Sequence, residues 1–369
     1  MLPGRATPEG TARYASRLTP PAVPEHFRQA AGLGTLASLG IGTYLGREDD
    51  ATDRLYRRAV ARAVEGGVNV VDTAVNYRHQ RSERAVGAAL ADLVARGVVQ
   101  RDEVVVTTKG GYIPFDGAVP RDPRRYFTET YLEPGIIAPG DVVGLHCMTP
   151  RYLADQLARS RANLGLETID VYYLHNPEEE LAELDRAAFM TRIRAAFAFL
   201  EDAARQARIG CYGAATWSGF RQMPTARDYL SMAELVEAAR DVGGPDHHFR
   251  VIQLPYNLAM TEAFTRANQR VGGEIVTPLE AARRLDLYVM VSASVYQGQL
   301  ARDLPPVIAE YLPGLDTDAQ RALQFVRSTP GVGTALVGMK TLAHVEENLA
   351  LATRPPVPWS EFRRLFTAA

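Results

Sequence analysis

Three ionisable residues share one setting in this chain. Asp72, Lys109 and His175 each close a run rich in Val, Tyr or Leu: Val70-Val71-Asp72, Val105-Val106-Thr107-Thr108-Lys109 and Asp170-Val171-Tyr172-Tyr173-Leu174-His175. Such runs read as parallel strands buried on both faces. A carboxylate, an ammonium and an imidazole are groups that move protons and hold charge. Set repeatedly at the C-terminal ends of buried strands, they stand where a barrel of alternating strands and helices builds its active face. A later run from Tyr212 to Trp217 has the same character without the charge.

The elements that would position them recur along the chain. After an apolar stretch over 36–41 ending at Gly42-Thr43-Tyr44, Leu55, Ala59, Val60 and Val64 show helical spacing until Gly66-Gly67 stops it. The strand to Asp72, a helix opening at Ser82 and the strand to Lys109 follow. Helices over 151–165, 187–207, 231–242, 278–285 and 317–327 are each expected to lead into a strand, at 169–174, 209–214, 251–255, 287–292 and 333–337. Repeated strand and helix units with right-handed crossovers make a parallel sheet, and about eight strands predict closure into a (β/α)8 TIM barrel. The expected organisation is a Pro-rich extension over 1–28, with little reason to pack tightly, then one barrel domain over 29–369.

Two connections exceed the usual ~2 to 6 residues. Segments 110–150 and 296–316 follow strand ends and are read as pocket walls or lids at the C-terminal face. Their aromatic residues Tyr112, Phe115, Tyr126, Phe127, Tyr296 and Tyr311 suggest a fairly apolar wall, with packing of their own loop as the alternative for several of them.

Composition narrows the partners. Lys plus Arg number 41 and Asp plus Glu 43, a formal charge of -2, so no global field favours nucleic acid or an anionic membrane. Two cysteines, Cys147 and Cys211, exclude a disulfide framework and a cysteine-built zinc site. His146 beside Cys147 lacks further ligands at useful spacing. Residues 1–28 carry charges and five prolines without an apolar h-region, and no run of ~18 apolar residues occurs. The expectation is a soluble, cytoplasmic protein that works on a small molecule.

Asp72-Thr73-Ala74-Val75-Asn76-Tyr77, then Ser82-Glu83-Arg84-Ala85-Val86-Gly87, then Lys109, then His175 with Asn176-Pro177 resembles the aldo-keto reductases, over about residues 33–352. Val345-Glu346-Glu347-Asn348-Leu349 adds to the likeness. The resemblance implies a (β/α)8 barrel that binds NADP(H), with NAD(H) as the second candidate, and acts on a carbonyl or alcohol substrate. It implies that Tyr77 is the general acid, that Lys109, held positive by Asp72, lowers the Tyr77 pKa, and that His175 orients the carbonyl. Singly, each residue has a plainer reading: Asp72 a cap, Lys109 a loop charge, Tyr77 a core aromatic, His175 a turn residue.

The cofactor positions implied by the resemblance are Gly42, Thr43, Tyr44, Thr216, Gln253, Ser292, Ser294, Lys340, His344, Glu347 and Asn348. Several depart from the family pattern. Gly-Val-Ser-Asn becomes Gly213-Ala214-Ala215-Thr216, and Tyr-Ser-Pro-Leu becomes Ser292-Ala293-Ser294-Val295, so the ring that stacks on nicotinamide in the family is missing at that position unless Trp217 or Tyr296 substitutes. His344 stands where many NADPH-selective members carry Arg, a weaker phosphate partner. Gly32-Leu33-Gly34 fits a hairpin plugging the barrel bottom better than a dinucleotide fingerprint. Beside carbonyl reduction stand three other functions: a cofactor-independent lyase or isomerase, a Schiff-base aldolase through Lys109, and a regulatory subunit.

Overall fold

The computed structural model describes residues 1–19 and 21–367. Eight parallel strands close a barrel: β1 Leu39–Gly42, β2 Val70–Asp72, β3 Val105–Gly110, β4 Ile169–His175, β5 Ile209–Ala215, β6 Phe249–Pro255, β7 Tyr288–Ser292 and β8 Thr334–Gly338, with β8 pairing back to β1. The helices between and after them are α1 Asp50–Glu65, α2 Arg81–Ala95, α3 Pro150–Leu164, α4 Arg186–Arg205, α5 Met232–Gly243, α6 Pro278–Arg284, α7 Asp318–Ser328 and α8 Leu342–Leu349. Every strand expected from the sequence is present, within one or two residues for most.

Two apolar layers form. One lies between strands and helices and includes Ile41, Val71, Val106, Tyr172 and Leu174 with α1 residues Ala59, Val60 and Val64. In α1, Tyr56 rather than Leu55 is buried; Leu55 is 37% exposed. The other layer fills the barrel with Val70, Val105, Val171, Tyr173, Val251 and Met290. Side chains alternate faces along a strand, so Val70 shares its face with Asp72, Val105 with Thr107 and Lys109, and Val171 with Tyr173 and His175. The period of two therefore carries each ionisable residue into the barrel's C-terminal mouth, above an apolar plug.

The other end is closed by an antiparallel hairpin, Phe27–Ala30 with Gly34–Ala37, whose Ala30, Leu33 and Leu36 join the inner layer. Gly34 has φ +87, and a Cβ there would lie 2.3 Å from Thr11 Oγ1, so this turn needs glycine. The extension before it packs, contrary to expectation. Pro8–Ser16 is a helix capped by Thr7, Tyr14 is buried with its hydroxyl donating to the Val64 carbonyl, and Ala6 N donates to Asp170 Oδ1 at 2.6 Å. Tyr14, the Asp170 carboxylate and the ion pairs of Arg13 and Arg17 with Glu103 do this work, which proline-rich composition does not signal. Among the described residues no helix is long and apolar enough to cross a membrane.

Candidate functional site

The four expected catalytic side chains converge at the mouth. Lys109 Nζ lies 2.8 and 2.7 Å from the two Asp72 oxygens and 2.8 Å from the Thr73 carbonyl, with no exposed surface. Thr107 and Gln253 also donate to Asp72 Oδ1, at 2.7 and 2.9 Å. Burial works to lower the Lys109 pKa, and the Asp72 charge and hydrogen bonds oppose it. The ammonium sits 4.8 Å from the centre of the Tyr77 ring. Tyr77 and His175 meet edge to face with centroids 5.8 Å apart.

Tyr77 departs from expectation. Its pKa is pushed well above the phenol range, first by burial and then by Asp72, Tyr44 and Tyr112. The Lys109 charge is directed at Asp72, and the phenol keeps its proton. His175 is pushed well below its ordinary value by burial, then by Lys109 and His146. Its Nδ1 is buried without a partner, so a proton there would be unsatisfied. The neutral ring then carries hydrogen on Nε2.

A cavity of about 860 Å³ opens over this cluster. Asp72, Tyr77 and His175 line it, as do all eleven expected cofactor positions: Gly42, Thr43, Tyr44, Thr216, Gln253, Ser292, Ser294, Lys340, His344, Glu347 and Asn348. Lys109 lies beneath, reached through Asp72 and Tyr77. Thr43 is fixed because its Oγ1 donates to the Asp72 carbonyl and its own carbonyl accepts from Ser82. Two of these residues fit a bound dinucleotide on a structural ground: Thr216 Oγ1 and Asn348 Oδ1 are buried and unpartnered. Gly338, at the end of β8, would have nothing within 4 Å of an added Cβ, leaving open backbone beside the α8 N-terminus.

Of the two aromatic residues expected to stand in for the missing ring, Trp217, 44% exposed, lines the cavity; Tyr296 does not, although Val295 and Gln297 do. Trp217 is held by Glu178, a buried carboxylate whose Oε1 accepts from the backbone N–H groups of Trp217, Ser218 and Gly219. The long segments divide unevenly. From 110–150 only Tyr112 lines the cavity. Tyr126 and Phe127 instead pack with Tyr131, Ile137 and Tyr152 into a core of their own, and Phe115 lies against His79 and Tyr126. Tyr311 lies under Arg364. From 296–316, Gln297, Gly298 and Ala301 contribute to the wall.

Sequence reasoning did not single out Asn76, Asn176 or Glu179 as cavity residues. Asn176 takes φ 48, donates to the Tyr112 hydroxyl at 2.9 Å, and that hydroxyl donates to Glu179 at 3.1 Å. An Asn before Pro177 at a strand end is the signal that could have marked the turn. Among the described residues no group of three or more His, Cys, Asp or Glu could hold a metal ion.

The sequence model described as Aldo/keto reductase family matches residues 38–261. The aldo-keto reductase AKR2E4 of Bombyx mori is 39% identical over 74 residues, 20% of this chain and 23% of that one. The NADH-specific methylglyoxal reductase of Escherichia coli (strain K12) is 26% identical over 207 residues, 54% of this chain and 53% of that one. The chain thus spans about half or less of the length of these curated relatives. The aldo/keto reductase from Klebsiella pneumoniae, solved in complex with NADP and acetate, has a TM-score of 0.63 at 19% identity, covering 93% of this chain and 95% of that one. That likeness speaks for the barrel.

Proposed function

The chain belongs to the aldo/keto reductase family, and from that premise we propose that it is an NADP(H)-dependent oxidoreductase that reduces an aldehyde or ketone to an alcohol, or runs the reverse. One observation carries the reading: Tyr77, a phenol that keeps its proton, stands beside His175 and over the Asp72–Lys109 pair at the floor of one cavity.

Tyr77 and the Nε2–H of a neutral His175 hold the carbonyl oxygen by hydrogen bonds. As negative charge grows on that oxygen, Tyr77 gives up its proton, and the buried Lys109 ammonium stabilises the tyrosinate left behind. Asp72, with Thr107 and Gln253 on its oxygens, keeps Lys109 in place. When bound, the nicotinamide supplies the hydride for the carbonyl carbon, or takes it in the reverse direction. Thr216 and Asn348 offer free polar atoms to the dinucleotide, Trp217 an aromatic face, and Lys340, with His344 at the start of α8 beside it, positive charge for a 2'-phosphate. The relatives support either nicotinamide cofactor: NADP in the Klebsiella complex, NADH for the E. coli enzyme.

Titration with NADPH and NADH, followed by a carbonyl screen, tests this. Micromolar binding of one cofactor and substrate-dependent oxidation are expected, with Tyr77→Phe lowering kcat by about 10²- to 10⁴-fold and leaving cofactor affinity intact. Absence of binding at millimolar concentration would end the oxidoreductase reading and move attention to cofactor-free chemistry at the same four residues.

A further inference from the structure

His146 belongs to the long segment between β3 and α3 and reaches the catalytic centre from behind. Its ring is buried, with Nε2 2.8 Å from the His175 carbonyl oxygen and Nδ1 2.9 Å from Glu180 Oε1. Glu180, also fully buried, accepts from Arg192 of α4 at 2.9 Å on its other oxygen. Arg192 in turn donates to the carbonyls of Gly140 and Asp141 in the same long segment, both at 2.8 Å.

Both partners of His146 are acceptors. A carbonyl cannot donate, and neither can a carboxylate, so satisfying both bonds puts hydrogen on each ring nitrogen and makes Glu180 the counter-ion of an imidazolium. The backbone leaves room for this contact. Gly111 has φ +148, and a Cβ there would lie 2.5 Å from His146 Nε2 and 2.9 Å from the His175 oxygen. Asn176, in the left-handed region, turns the chain directly after His175. The His175 carbonyl thus leaves the ladder and meets His146.

We propose that His146, braced by Glu180 and Arg192, is a positioning residue for His175: it clamps the backbone from which the His175 ring projects and sets the Glu180-paired ring behind it. The proposal rests on the reading of His175 as the group that orients the carbonyl. A neutral ring donates through Nε2 and leaves the proton transfer to Tyr77; a charged one would set a second buried cation beside Lys109. The titratable and charged groups facing the two rings are Lys109 and Tyr112 from β3 and the loop after it, Tyr77 from the loop after β2, Glu179 and Glu180 from the turn after β4, and Arg192 from α4. Of these, Lys109 and His146 act directly to lower the His175 pKa, on top of burial.

The full chain, with histidine rings labelled with nitrogen-15, would be titrated by NMR over about pH 5 to 8 as wild type, His146→Gln and Glu180→Gln. Glu180→Gln preserves shape and removes the counter-ion, so it serves if His146→Gln fails to fold. The His175 ring should stay neutral throughout in the wild type and begin to take up a proton within the range in either variant. In steady-state assays His146→Gln should lower kcat by about 10- to 100-fold with NADPH affinity little changed. A His175 titration identical in all three proteins overturns the proposal. A wild type with no carbonyl turnover would instead remove the oxidoreductase reading, and the ring titration would still decide the role of His146.

Discussion

Gln253 donates from its Nε2 to Oδ1 of Asp72 at 2.9 Å, joining β6 to β2 through the barrel mouth. The residue that the family resemblance sets against a nicotinamide carboxamide therefore also holds the Asp72–Lys109 pair, leaving its amide oxygen and its second N–H for a ligand. Thr216 differs, because its hydroxyl has no partner. Thr216→Val should weaken NADP(H) binding by about 3- to 10-fold, one neutral hydrogen bond, without lowering Tm. Gln253→Leu should weaken binding and also destabilise the fold by about 1 kcal/mol. Calorimetric titration and thermal melts of the two variants measure both effects; equal melting behaviour would contradict the double role of Gln253.

The Asp72–Lys109 pair is buried on both sides, so removing one partner strands the other. Lys109→Met should cost about 3 to 5 kcal/mol by leaving the Asp72 carboxylate without its counter-ion. Asp72→Asn combined with Lys109→Met should recover much of that loss, since no lone charge remains, while staying inactive. Chemical denaturation of the single and double variants decides the point, and a double variant no more stable than the single would show that the pair is not what sets the cost.

Much of this was legible because the barrel repeats one rule. Val-rich runs ending in Asp72, Lys109 and His175 fix both the strand and, by the period of two, the face from which the last residue projects. Gly42, Thr216 and Gln253, on or near strand ends, were equally readable as residues of the cavity wall, and Asn348 joins them from α8. What escaped the sequence is set by contacts between distant segments. The direction of the Tyr77 pKa depends on where the Lys109 ammonium points, and Tyr126 and Phe127 pack their own loop because Tyr131 and Tyr152 lie beside them. Neither spacing nor composition carries that information.

His26 gives the fold a pH-dependent weakness at the bottom of the barrel. Fully buried, it bonds the Gly67 carbonyl through Nε2 at 3.0 Å, and burial with the nearby Arg327 lowers its pKa to about 4. The unfolded chain takes up this proton near the ordinary value of about 6.5, so between the two values it binds more protons than the folded chain. The stability associated with the neutral ring is complete above about pH 6.5 and declines as pH falls, with about 3 kcal/mol lost by pH 4. His26→Gln should remove that part of the slope. Denaturation midpoints measured from pH 7 to 4 on both proteins check it; parallel curves would assign the acid sensitivity elsewhere.

The N-terminal extension is tied to the barrel through one buried carboxylate. Asp170 accepts from Ala6 N at 2.6 Å on Oδ1 and from Val106 N and Arg101 at 2.7 Å on Oδ2, with Arg101 itself buried. Asp170→Ala would leave the buried Arg101 without its counter-ion and two backbone N–H groups without acceptors, a cost of about 3 to 5 kcal/mol. Because one of those groups belongs to Ala6, the loss should fall partly on the docking of the helix Pro8–Ser16. Arg5, Arg13 and Arg17 give trypsin places to report it. Cleavage in this stretch should be slow in the wild type and faster in Asp170→Ala at temperatures where the barrel's helical circular dichroism is unchanged. Equal cleavage rates would mean that the ion pairs of Arg13 and Arg17 with Glu103, rather than Asp170, hold the extension.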